Sequence, residues 1–385
     1  MRPAAAGVAV GTAIGYNIAN VGPAAEVVSQ AYNVRLATVG FLTTALFVTH
    51  LLLQIPGGRL VDRHGARTLA GIGLGVIALG NVVALVVASF PVGIVARLIA
   101  GVGTGIGFVA GSDYVRATVG STTAQGLYGA AGVGGGGVAI AVVPLTASAL
   151  DWRAPYATAL VAACAVFVCL PFAPRDRVRG AAAGSTGARI GDIVRDRRLY
   201  PLAVAHMASF GFSVILGNWA VSLLQHDGYG RRLAGAVAAL TLLAGFVTRP
   251  LGGRAFQLWG ERAAPLLAAS MVAGAAGTVL LLLDVPLALR IVGAAMLGLA
   301  AGIPFAAAFS GAQTIRPDAP GAAIGFINSC ATFVIALGTP LVGVTFSIAG
   351  HGRAGFAAVA VLWAFSAVAV LPSKLPRGGP IRLRD

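Results

Sequence analysis

The chain has 385 residues, of which 57% are hydrophobic and only 10% are charged, and its mean hydropathy is +0.87. Soluble domains carry about 25% charged residues, so this composition excludes an ordinary water-soluble fold and favours the bilayer as the solvent for most of the chain. The net charge of +15 does not indicate nucleic-acid binding, because the arginines lie in short loops between apolar runs instead of forming one basic patch.

Twelve apolar runs, each long enough to span a bilayer as a helix, follow one another along the chain. The predicted helices are residues 5–29, 36–58, 68–89, 91–113, 123–149, 155–173, 200–224, 233–255, 264–283, 286–310, 321–348 and 354–372. We therefore expect an all-α membrane protein. Its predicted parts are an N-terminal six-helix bundle (1–173), a linker (174–199), a C-terminal six-helix bundle (200–373) and a tail (374–385).

Lysine and arginine are distributed unevenly between the predicted loops. Most of them fall on the side that carries the N-terminus, including the arginines of the linker and of the C-terminal tail. The positive-inside rule predicts that both termini are cytoplasmic in a multi-pass protein of the inner (plasma) membrane. The three cysteines lie inside apolar runs without metal-ligand spacing, and neither a metal nor another cofactor is predicted.

The two halves share sequence landmarks at a nearly constant offset. The matched pairs are Arg35–Ala37 with Arg232–Ala234, Gly57–Arg59 with Gly252–Arg254, Arg97 with Arg290, and Pro144 with Pro340. Because each half has an even number of spans, both copies have the same orientation. This pattern predicts a parallel repeat, with a substrate site between the halves near the middle of the membrane.

Two motifs resemble those of the major facilitator superfamily. Segment Gly57–Arg67 reads GGRLVDRHGAR and is similar to the superfamily's loop 2–3 signature, with Arg59 at a position that is more often apolar. Segment Arg97–Gly105 reads RLIAGVGTG and is similar to its fourth-span motif. With the repeat and the long central loop, the resemblance covers almost the whole chain. It implies two parallel six-helix bundles and secondary transport.

A narrower likeness concerns the eighth predicted helix. Segment Arg249–Gly253 resembles the nitrate/nitrite porters, in which an arginine there binds the anion, and cyanate-type porters are similar. Those porters use a second arginine in the second span, which this chain lacks. Alignment on the glycine pairs puts Gln54 at that position, whereas a match of Phe47–His50 with Phe246–Arg249 puts His50 there.

Arg249 is the first candidate for substrate binding. A charged side chain inside a membrane helix costs roughly 2.5–3.5 kcal/mol and tends to face a cavity or a partner. The guanidinium group matches planar oxyanions, so an anion contact is predicted, with a structural ion pair as the alternative. His50 and Gln54 share one helix face and are predicted to point at the same cavity. His50 is also a candidate carrier of a coupling proton, as is His206 in the seventh span.

Three amides lie at mid-membrane depth, namely Asn17 and Asn20 in the first predicted helix and Asn218 in the seventh. They are predicted to line the cavity, with hydrogen bonds between helices as the alternative. Arg97 matches the fourth-span arginine that some relatives link to proton coupling. The alternative for Arg97 is an ion pair at the outer rim with Glu26, which is itself a candidate coupling group.

The resemblance also implies a conformational latch on the cytoplasmic side. Its predicted members are Gly58, Asp62, Arg63, Arg67 and Asp113. Asp62 would lie at the N-terminal end of the eleventh helix, where the helix dipole favours a carboxylate. Arg67 would pair with Asp113, and the latch would break when the halves rock.

The leading hypothesis is secondary transport by alternating access of a small solute, with a small inorganic or organic anion as the first candidate. The alternative is proton-coupled efflux of drugs or metabolites. An intramembrane enzyme is not expected, because the spans hold too few clustered His, Asp and Glu residues. The expected partners are the small-molecule substrate, a coupling proton or ion, and the lipid bilayer. We expect a monomer that binds no nucleic acid.

Overall fold

A computed structural model describes residues 1–119, 122–175, 190–259, 264–316 and 320–371, and within these ranges the chain is helical without a β-strand. The long helices follow the predicted spans in order. They are α1 (Pro3–Ala31, with a short 3₁₀ turn at Gly22–Ala24), α2 (Leu36–Leu52, continued by Gln54–His64), α3 (Ala66–Leu85), α4 (Phe90–Thr118), α5 (Thr122–Leu150), α6 (Ala154–Cys169), α7 (Arg197–His226), α8 (Arg231–Trp259), α9 (Ala264–Leu282), α10 (Leu287–Ile315), α11 (Pro320–Val344) and α12 (Arg353–Val370).

The outer surface of these helices is apolar. Val86, Val161, Phe365 and Val368 each expose two thirds or more of their surface, and many other large hydrophobic side chains are exposed. Apolar surface in water costs about 25 cal/mol per Å², and exposed apolar surface on this scale marks contact with lipid. Ten helical stretches of the described residues are long and apolar enough to cross a membrane, and one of them contains both α5 and α6. The prediction of an all-α, multi-pass membrane protein is confirmed.

The helices form two bundles that pack in the same way. In the first bundle α3 packs on α4 and α6, α2 on α4, and α1 on α5. In the second bundle α9 packs on α10 and α12, and α8 on α10. The bundles meet where α5 packs on α8 and α2 packs on α11. The two-bundle arrangement expected from the repeat is therefore the observed fold.

Close approaches at glycine reveal the symmetry between the halves. A Cβ atom on Gly40 of α2 would lie 3.0 Å from Cα of Pro340 in α11. A Cβ atom on Gly235 of α8 would lie 2.7 Å from Cγ of Pro144 in α5. In each half, a glycine therefore packs against the proline of the other half, as expected for a two-fold repeat.

Within the bundles, equivalent contacts fix the register of the repeat. A Cβ atom on Gly80 of α3 would lie 2.8 Å from the backbone nitrogen of Ala100 in α4. A Cβ atom on Gly277 of α9 would lie at the same distance from the backbone nitrogen of Leu297 in α10. Gly80 therefore corresponds to Gly277, and Ala100 corresponds to Leu297.

The contacts between α2 and α4 extend this register to the second and eighth helices. A Cβ atom on Gly105 would lie 2.9 Å from the carbonyl oxygen of His50. In the second half, a Cβ atom on Gly302 would lie 2.8 Å from the carbonyl oxygen of Gly245. His50 therefore corresponds to Gly245 of α8.

This register tests two alignments that the sequence alone suggests. Gln54 corresponds to Arg249, because Gln54 stands four residues after His50 and Arg249 stands four residues after Gly245. Arg97 corresponds to Ala294, since Arg97 stands three residues before Ala100 and Ala294 stands three residues before Leu297. The predicted match of Arg97 with Arg290 is wrong by one helical turn, a slip that short anchors in a helix cannot exclude.

The end of the linker is tied to the second bundle. The carboxylate of Asp196 forms an ion pair with Arg198 at 2.7 Å and lies 4.0 Å from Arg316 at the end of α10. The hydrogen bonds from Arg198 hold the pKa of the Asp196 carboxyl below its usual range. This part of the predicted linker thus leads directly into α7.

The tight glycine contacts make a stability prediction. A Cβ atom on Gly135 of α5 would overlap the carbonyl oxygen of Thr12 in α1, so Gly135→Ala forces the two backbones apart. Overpacking of this kind costs about 1–3 kcal/mol. We expect a lower midpoint of thermal unfolding in detergent, measured by intrinsic fluorescence. In the control Gly71→Ala, the new Cβ would lie 3.7 Å from Leu170, so an equal loss in both variants would contradict the packing argument.

Candidate functional site

A cavity lies between the two bundles. Its wall is built from α1, α4 and α5 of the first half and from α7, α8, α10 and α11 of the second half. The lining is mostly apolar, with glycines of α1 and α5 bringing backbone to the surface of the cavity. Its polar side chains are Tyr128, His206, Arg249 and Asn328. A concave, largely apolar cavity with a few convergent polar groups is the usual form of a small-molecule site.

Arg249 is buried in the wall of this cavity and uses only part of its hydrogen-bonding capacity. Its Nη1 donates to the carbonyl oxygen of Gly129 in α5 at 2.6 Å, across the boundary between the halves. Its Cζ lies 3.9 Å from the ring centre of Phe305. Nε and Nη2 are buried without a hydrogen-bond partner. These two atoms form one edge of the guanidinium fork, which is the edge that binds a carboxylate through two parallel hydrogen bonds.

A glycine in α5 makes this arrangement possible. A Cβ atom on Gly129 would overlap the ring of Phe305, so only glycine allows α5 to approach α10 this closely. The approach brings the Gly129 carbonyl within reach of Arg249. The glycine-rich stretch of α5 thus holds the guanidinium in place, with its remaining donors free.

A second polar pair in the wall joins α7 to α11. His206 Nε2 lies 3.1 Å from Oδ1 of Asn328, and both residues are about 1% exposed. His206 Nδ1 and Asn328 Nδ2 have no hydrogen-bond partner. The ring of Phe210 stacks on that of His206, with centroids 5.7 Å apart and planes 17° apart. Phe210 belongs to the π-helical turn Met207–Phe212 of α7, which His206 immediately precedes, and such turns often mark functional sites.

The predicted binding residues of α2 do not line the cavity. His50 Nδ1 lies 3.1 Å from Thr104 Oγ1 in α4, and the His50 ring packs against Phe108 with centroids 5.9 Å apart. Phe108 itself lines the cavity, so His50 lies one layer behind the wall. Gln54 is buried, and its Nε2 lies 3.5 Å from the His50 carbonyl oxygen.

The amides of α1 form a network around Arg97 inside the first bundle. Arg97 Nη1 donates at 3.0 Å to the carbonyl oxygen of Asn17 and to Oδ1 of Asn20, while Nε donates to the carbonyl oxygen of Leu42 at 3.3 Å. Asn17 Oδ1 accepts from Asn81 in α3 at 2.7 Å. These groups connect helices to one another and do not line the cavity.

Other candidates join the two halves on the side opposite the N-terminus. Oδ1 of Asn218 accepts a hydrogen bond from Thr43 of α2 at 3.1 Å. Glu26, the predicted alternative partner of Arg97, instead lies 3.2 Å from Nε2 of His226 at the end of α7. His226 also stacks on His351, with ring centroids 4.8 Å apart. No sequence pattern marks His226, the last residue of α7, or His351, in the loop before α12.

The predicted latch residues lie on the N-terminal side. Gly58 and Asp62 belong to the helical segment Gln54–His64, but their side chains fall outside the described part of the structure. Arg63 is exposed, and Asp113 is half-buried in α4. Arg67 donates to the carbonyl oxygens of Pro171 and Ala173, at 3.2 and 2.7 Å, just after α6. The latch therefore remains a prediction.

The second half contains a further interior arginine that is fully paired. Arg290 of α10 donates to Asp227, which also accepts from Arg353 at 2.7 Å, and Arg290 lies 3.5 Å from Asp284. This cluster stands in the loops on the side opposite the N-terminus. The contrast with Arg249 is that Arg290 has carboxylate partners within the protein.

The sequence profile of the Major Facilitator Superfamily matches residues 7–339. The human organic anion transporter MFSD10 (TETRAN) has a similar structure, with a TM-score of 0.70 and 18% identity over 96% of this chain and 99% of that one. A structure of the nucleoside transporter NupG has a TM-score of 0.71 and 14% identity over 95% and 98% of the two chains. A single-residue NupG variant gives 0.73 and 14% over 94% and 98%. No curated protein sequence matches this chain.

Two buried arginines, Arg249 in the cavity wall and Arg97 in the first bundle, are predicted to affect stability in opposite directions. Arg249→Met removes a guanidinium whose Nε and Nη2 are unpartnered, and each unsatisfied buried donor costs about 1–3 kcal/mol. Arg97→Met also removes an unpartnered donor, Nη2, but it breaks three hydrogen bonds, to Asn17, Asn20 and Leu42, whereas Arg249 donates one, to Gly129. We expect an unchanged or higher midpoint of thermal unfolding for Arg249→Met and a lower midpoint for Arg97→Met. The reverse order would contradict the assignment of Arg249 as an open binding group.

Proposed function

This chain belongs to the major facilitator superfamily, and we propose that it is a secondary transporter that carries a small organic anion by alternating access. The observation that carries the proposal is the unpartnered Nε–Nη2 edge of Arg249 in a mostly apolar cavity between the halves. Membership of the superfamily supports a transport function, and the unpartnered edge of Arg249 supports a negatively charged substrate.

The charge balance of the cavity favours an anion. Within the described residues its wall includes Arg249 but neither aspartate nor glutamate. A buried cation without a counter-charge is costly, because burial removes it from water without a compensating interaction. A carboxylate on the free edge of the guanidinium group would supply both the charge and the two missing hydrogen bonds.

The lining of the cavity favours an organic anion over an inorganic one. The wall includes Phe108, Phe210, Phe305 and Val214. Burial of an apolar part of a substrate against these side chains is favourable, whereas an inorganic anion has no apolar surface to bury. The inorganic anion suggested by the porter-like segment Arg249–Gly253 is the second candidate, and proton-coupled efflux of drugs or metabolites is the third.

Alternating access is supported by the arrangement of contacts between the halves. The hydrogen bond from Thr43 to Asn218 and the 3.2 Å contact of Glu26 with His226 join the bundles on the side opposite the N-terminus. A rocking motion of the two bundles about the cavity would break these contacts and open that side. We further propose that the chain has no enzymatic activity and acts as a monomer in the inner membrane, with both termini cytoplasmic.

Uptake into proteoliposomes tests the proposed substrate class. The panel contains benzoate, hexanoate and formate beside nitrate, nitrite and cyanate, each tested under opposite pH gradients. We expect saturable uptake of an organic anion by the wild type and a 10- to 100-fold lower rate for Arg249→Ala, because a hydrogen bond to a charged group contributes about 1.5–3 kcal/mol. The matched control is Arg254→Ala, which removes an exposed arginine of the same helix.

Each result of this experiment has a definite meaning. Uptake of nitrate alone would move the inorganic anion to first place. Equal uptake by wild type and Arg249→Ala would remove Arg249 from the site. The absence of uptake of every anion, with a folded protein in the liposomes, would contradict anion transport and favour efflux of other organic compounds.

The Glu26–His226 contact makes a prediction about the transport cycle. The two side chains are 24% and 32% exposed, so their contact contributes at most about 0.2–1 kcal/mol, the range of an exposed ion pair. Glu26→Gln should therefore shift the protein modestly towards a state open on that side. We expect up to a fivefold faster maleimide reaction of a single cysteine at position 214, in the cavity wall, in an otherwise cysteine-free background. The exchange of Glu26 and His226 should restore the parental rate, and an unchanged rate in Glu26→Gln would exclude this role.

A further inference from the structure

We infer that the substrate is an amphipathic carboxylate whose apolar tail lies extended along α5, with the carboxylate at Arg249 and the tail pointing away from the side of the N-terminus. This inference rests on the proposed anion site at Arg249. It deepens that proposal, because it gives the substrate a shape, an approximate length and an orientation in the cavity.

The polar and the apolar residues of the cavity wall lie towards opposite ends of the cavity. Because each long helix crosses the membrane once, successive helices run in opposite directions, and α7 runs away from the side of the N-terminus. Its wall residue His206 therefore lies nearer to that side than Val214 does. Helix α8 runs back, so Arg249 lies nearer to that side than Leu242 does. Both helices thus place their polar residue towards the side of the N-terminus.

Helices α1, α5 and α11 continue this order. Tyr128 is the first wall residue of α5 and Gly136 is the last, while Ala19 is the last wall residue of α1. Asn328 stands in the first half of α11, which also runs away from the side of the N-terminus. The part of the wall that lies farthest from that side is here called the apolar end. It consists of Ile18, Ala19, Val133, Gly136, Val214 and Leu242.

The cavity is long enough for an extended chain. Seven residues separate Gly129 from Gly136 in α5 and Leu242 from Arg249 in α8, which corresponds to about 10 Å along each helix. The guanidinium of Arg249 donates to the carbonyl oxygen of Gly129, so an anionic head bound to it lies near the start of this stretch. The head stands one hydrogen-bond length of about 3 Å from the guanidinium, and a hydrocarbon chain advances about 1.25 Å per carbon, given the standard bond length and angle. An acid of about six to eight carbons would therefore reach the apolar end.

Glycine backbone forms the wall along which the tail would lie. Gly129, Gly132 and Gly136 share one face of α5, because they are spaced three and four residues apart. A Cβ atom on Gly132 would have a single neighbour within 4 Å, the carbonyl oxygen of Gly11 at 3.9 Å. Gly132 therefore borders open space, which a larger side chain at this position would occupy.

The apolar end is closed, which sets an upper limit on the length of the tail. A Cβ atom on Gly136 would lie 2.9 Å from Cδ1 of Leu242 and 3.3 Å from Cβ of Ala19. Beyond these residues α1 and α7 touch, since a Cβ atom on Gly22 would overlap the backbone of Asn218. A tail longer than the cavity would therefore meet the contacts that join the two halves.

A compact acid matches this wall less well. Benzoate held at Arg249 would cover the aromatic residues near the guanidinium and leave the apolar end empty. An extended tail instead buries apolar surface along the whole wall, and each buried methylene adds to the affinity. The order of polar and apolar residues along the wall thus matches an acid with one charged end and one apolar end.

A series of unbranched acids tests this inference. Affinities for butyrate, hexanoate, octanoate and decanoate are measured by calorimetry on the full-length protein in detergent, and titrations into empty micelles are subtracted. We expect binding to become about fourfold tighter for each added methylene. The gain should end at a length of about eight carbons, so that decanoate binds no more tightly than octanoate.

An acid of equal length tests the polarity of the far end. Octanedioate has the chain length of octanoate but carries a second carboxylate, which would be buried at the apolar end without a partner. We expect octanedioate to bind at least about tenfold more weakly than octanoate, because an unpaired buried charge is costly.

Variants at the apolar end assign the length preference to this wall. Leu242→Ala enlarges the apolar end, so decanoate should bind more tightly than octanoate. Ala19→Leu fills it, so hexanoate should become the tightest ligand. The matched controls are Leu251→Ala in α8 and Ala5→Leu in α1, which change exposed residues outside the cavity wall and should keep the wild-type order of affinities. Gel filtration checks that each variant is folded, and Leu242→Ala carries the test alone if Ala19→Leu does not fold.

The outcomes separate this inference from the proposal on which it rests. Arg249→Ala should weaken the binding of all acids by a similar factor, because it removes the partner of the carboxylate and leaves the apolar end intact. If affinity does not rise from butyrate to octanoate, if octanedioate binds as tightly as octanoate, or if Leu242→Ala keeps the wild-type order, the inference is overturned and the anion site at Arg249 stands. If no acid binds the wild type, or if Arg249→Ala binds every acid as tightly as the wild type does, the anion proposal fails and the inference fails with it.

Discussion

The arrangement of the cavity depends on one buried cation that the protein satisfies only in part. Arg249 donates one hydrogen bond to the carbonyl oxygen of Gly129, lies over Phe305 and keeps its Nε–Nη2 edge unpartnered. The other interior arginines are treated differently. Arg97 bonds to amide and carbonyl oxygens within the first bundle, and Arg290 donates to Asp227. Arg97 keeps one unpartnered nitrogen, Nη2, inside its bundle, whereas Arg249 keeps the two nitrogens of one guanidinium edge and lines the cavity, where an unpaired charge is costly unless a ligand meets it.

The fold could be predicted largely from hydropathy. Backbone groups in a bilayer must be satisfied internally, so every long apolar run must be a helix, and the order of helices follows from the order of runs. What hydropathy does not contain is the register between helices. Two arginines early in equivalent helices suggested a match of Arg97 with Arg290, but the close approach of Gly80 and Gly277 to the next helix shifts that match by one turn. The π-helical turn at Met207–Phe212 has no sequence signal either, since it is a local variation of helical geometry.

The site could be predicted only where a residue was unusual for its surroundings. A guanidinium in an apolar run is rare, and Arg249 does line the cavity. Amides in apolar runs are common, and sequence cannot tell which ones bind other helices. Asn17 and Asn20 contact Arg97, whereas Asn328, which no motif marked, faces the cavity because α11 packs beside α7. The pairing of His206 with Asn328 joins residues far apart in the chain, and such contacts are decided by tertiary packing.

The two halves share a fold but contribute different groups to the cavity. The second half supplies the arginine and the histidine–asparagine pair, whereas the first half supplies mainly apolar and glycine backbone surface, including the Gly129 carbonyl that holds Arg249. That hydrogen bond joins the halves beside the cavity, so a rocking motion that separates α5 from α8 must break it. When Nη1 loses this acceptor, the buried guanidinium depends on another partner, and a carboxylate on the Nε–Nη2 edge supplies the opposite charge and two hydrogen bonds. An occupied site would then lower the free energy of separating the halves by keeping the guanidinium paired, so that the substrate itself favours the movement that carries it.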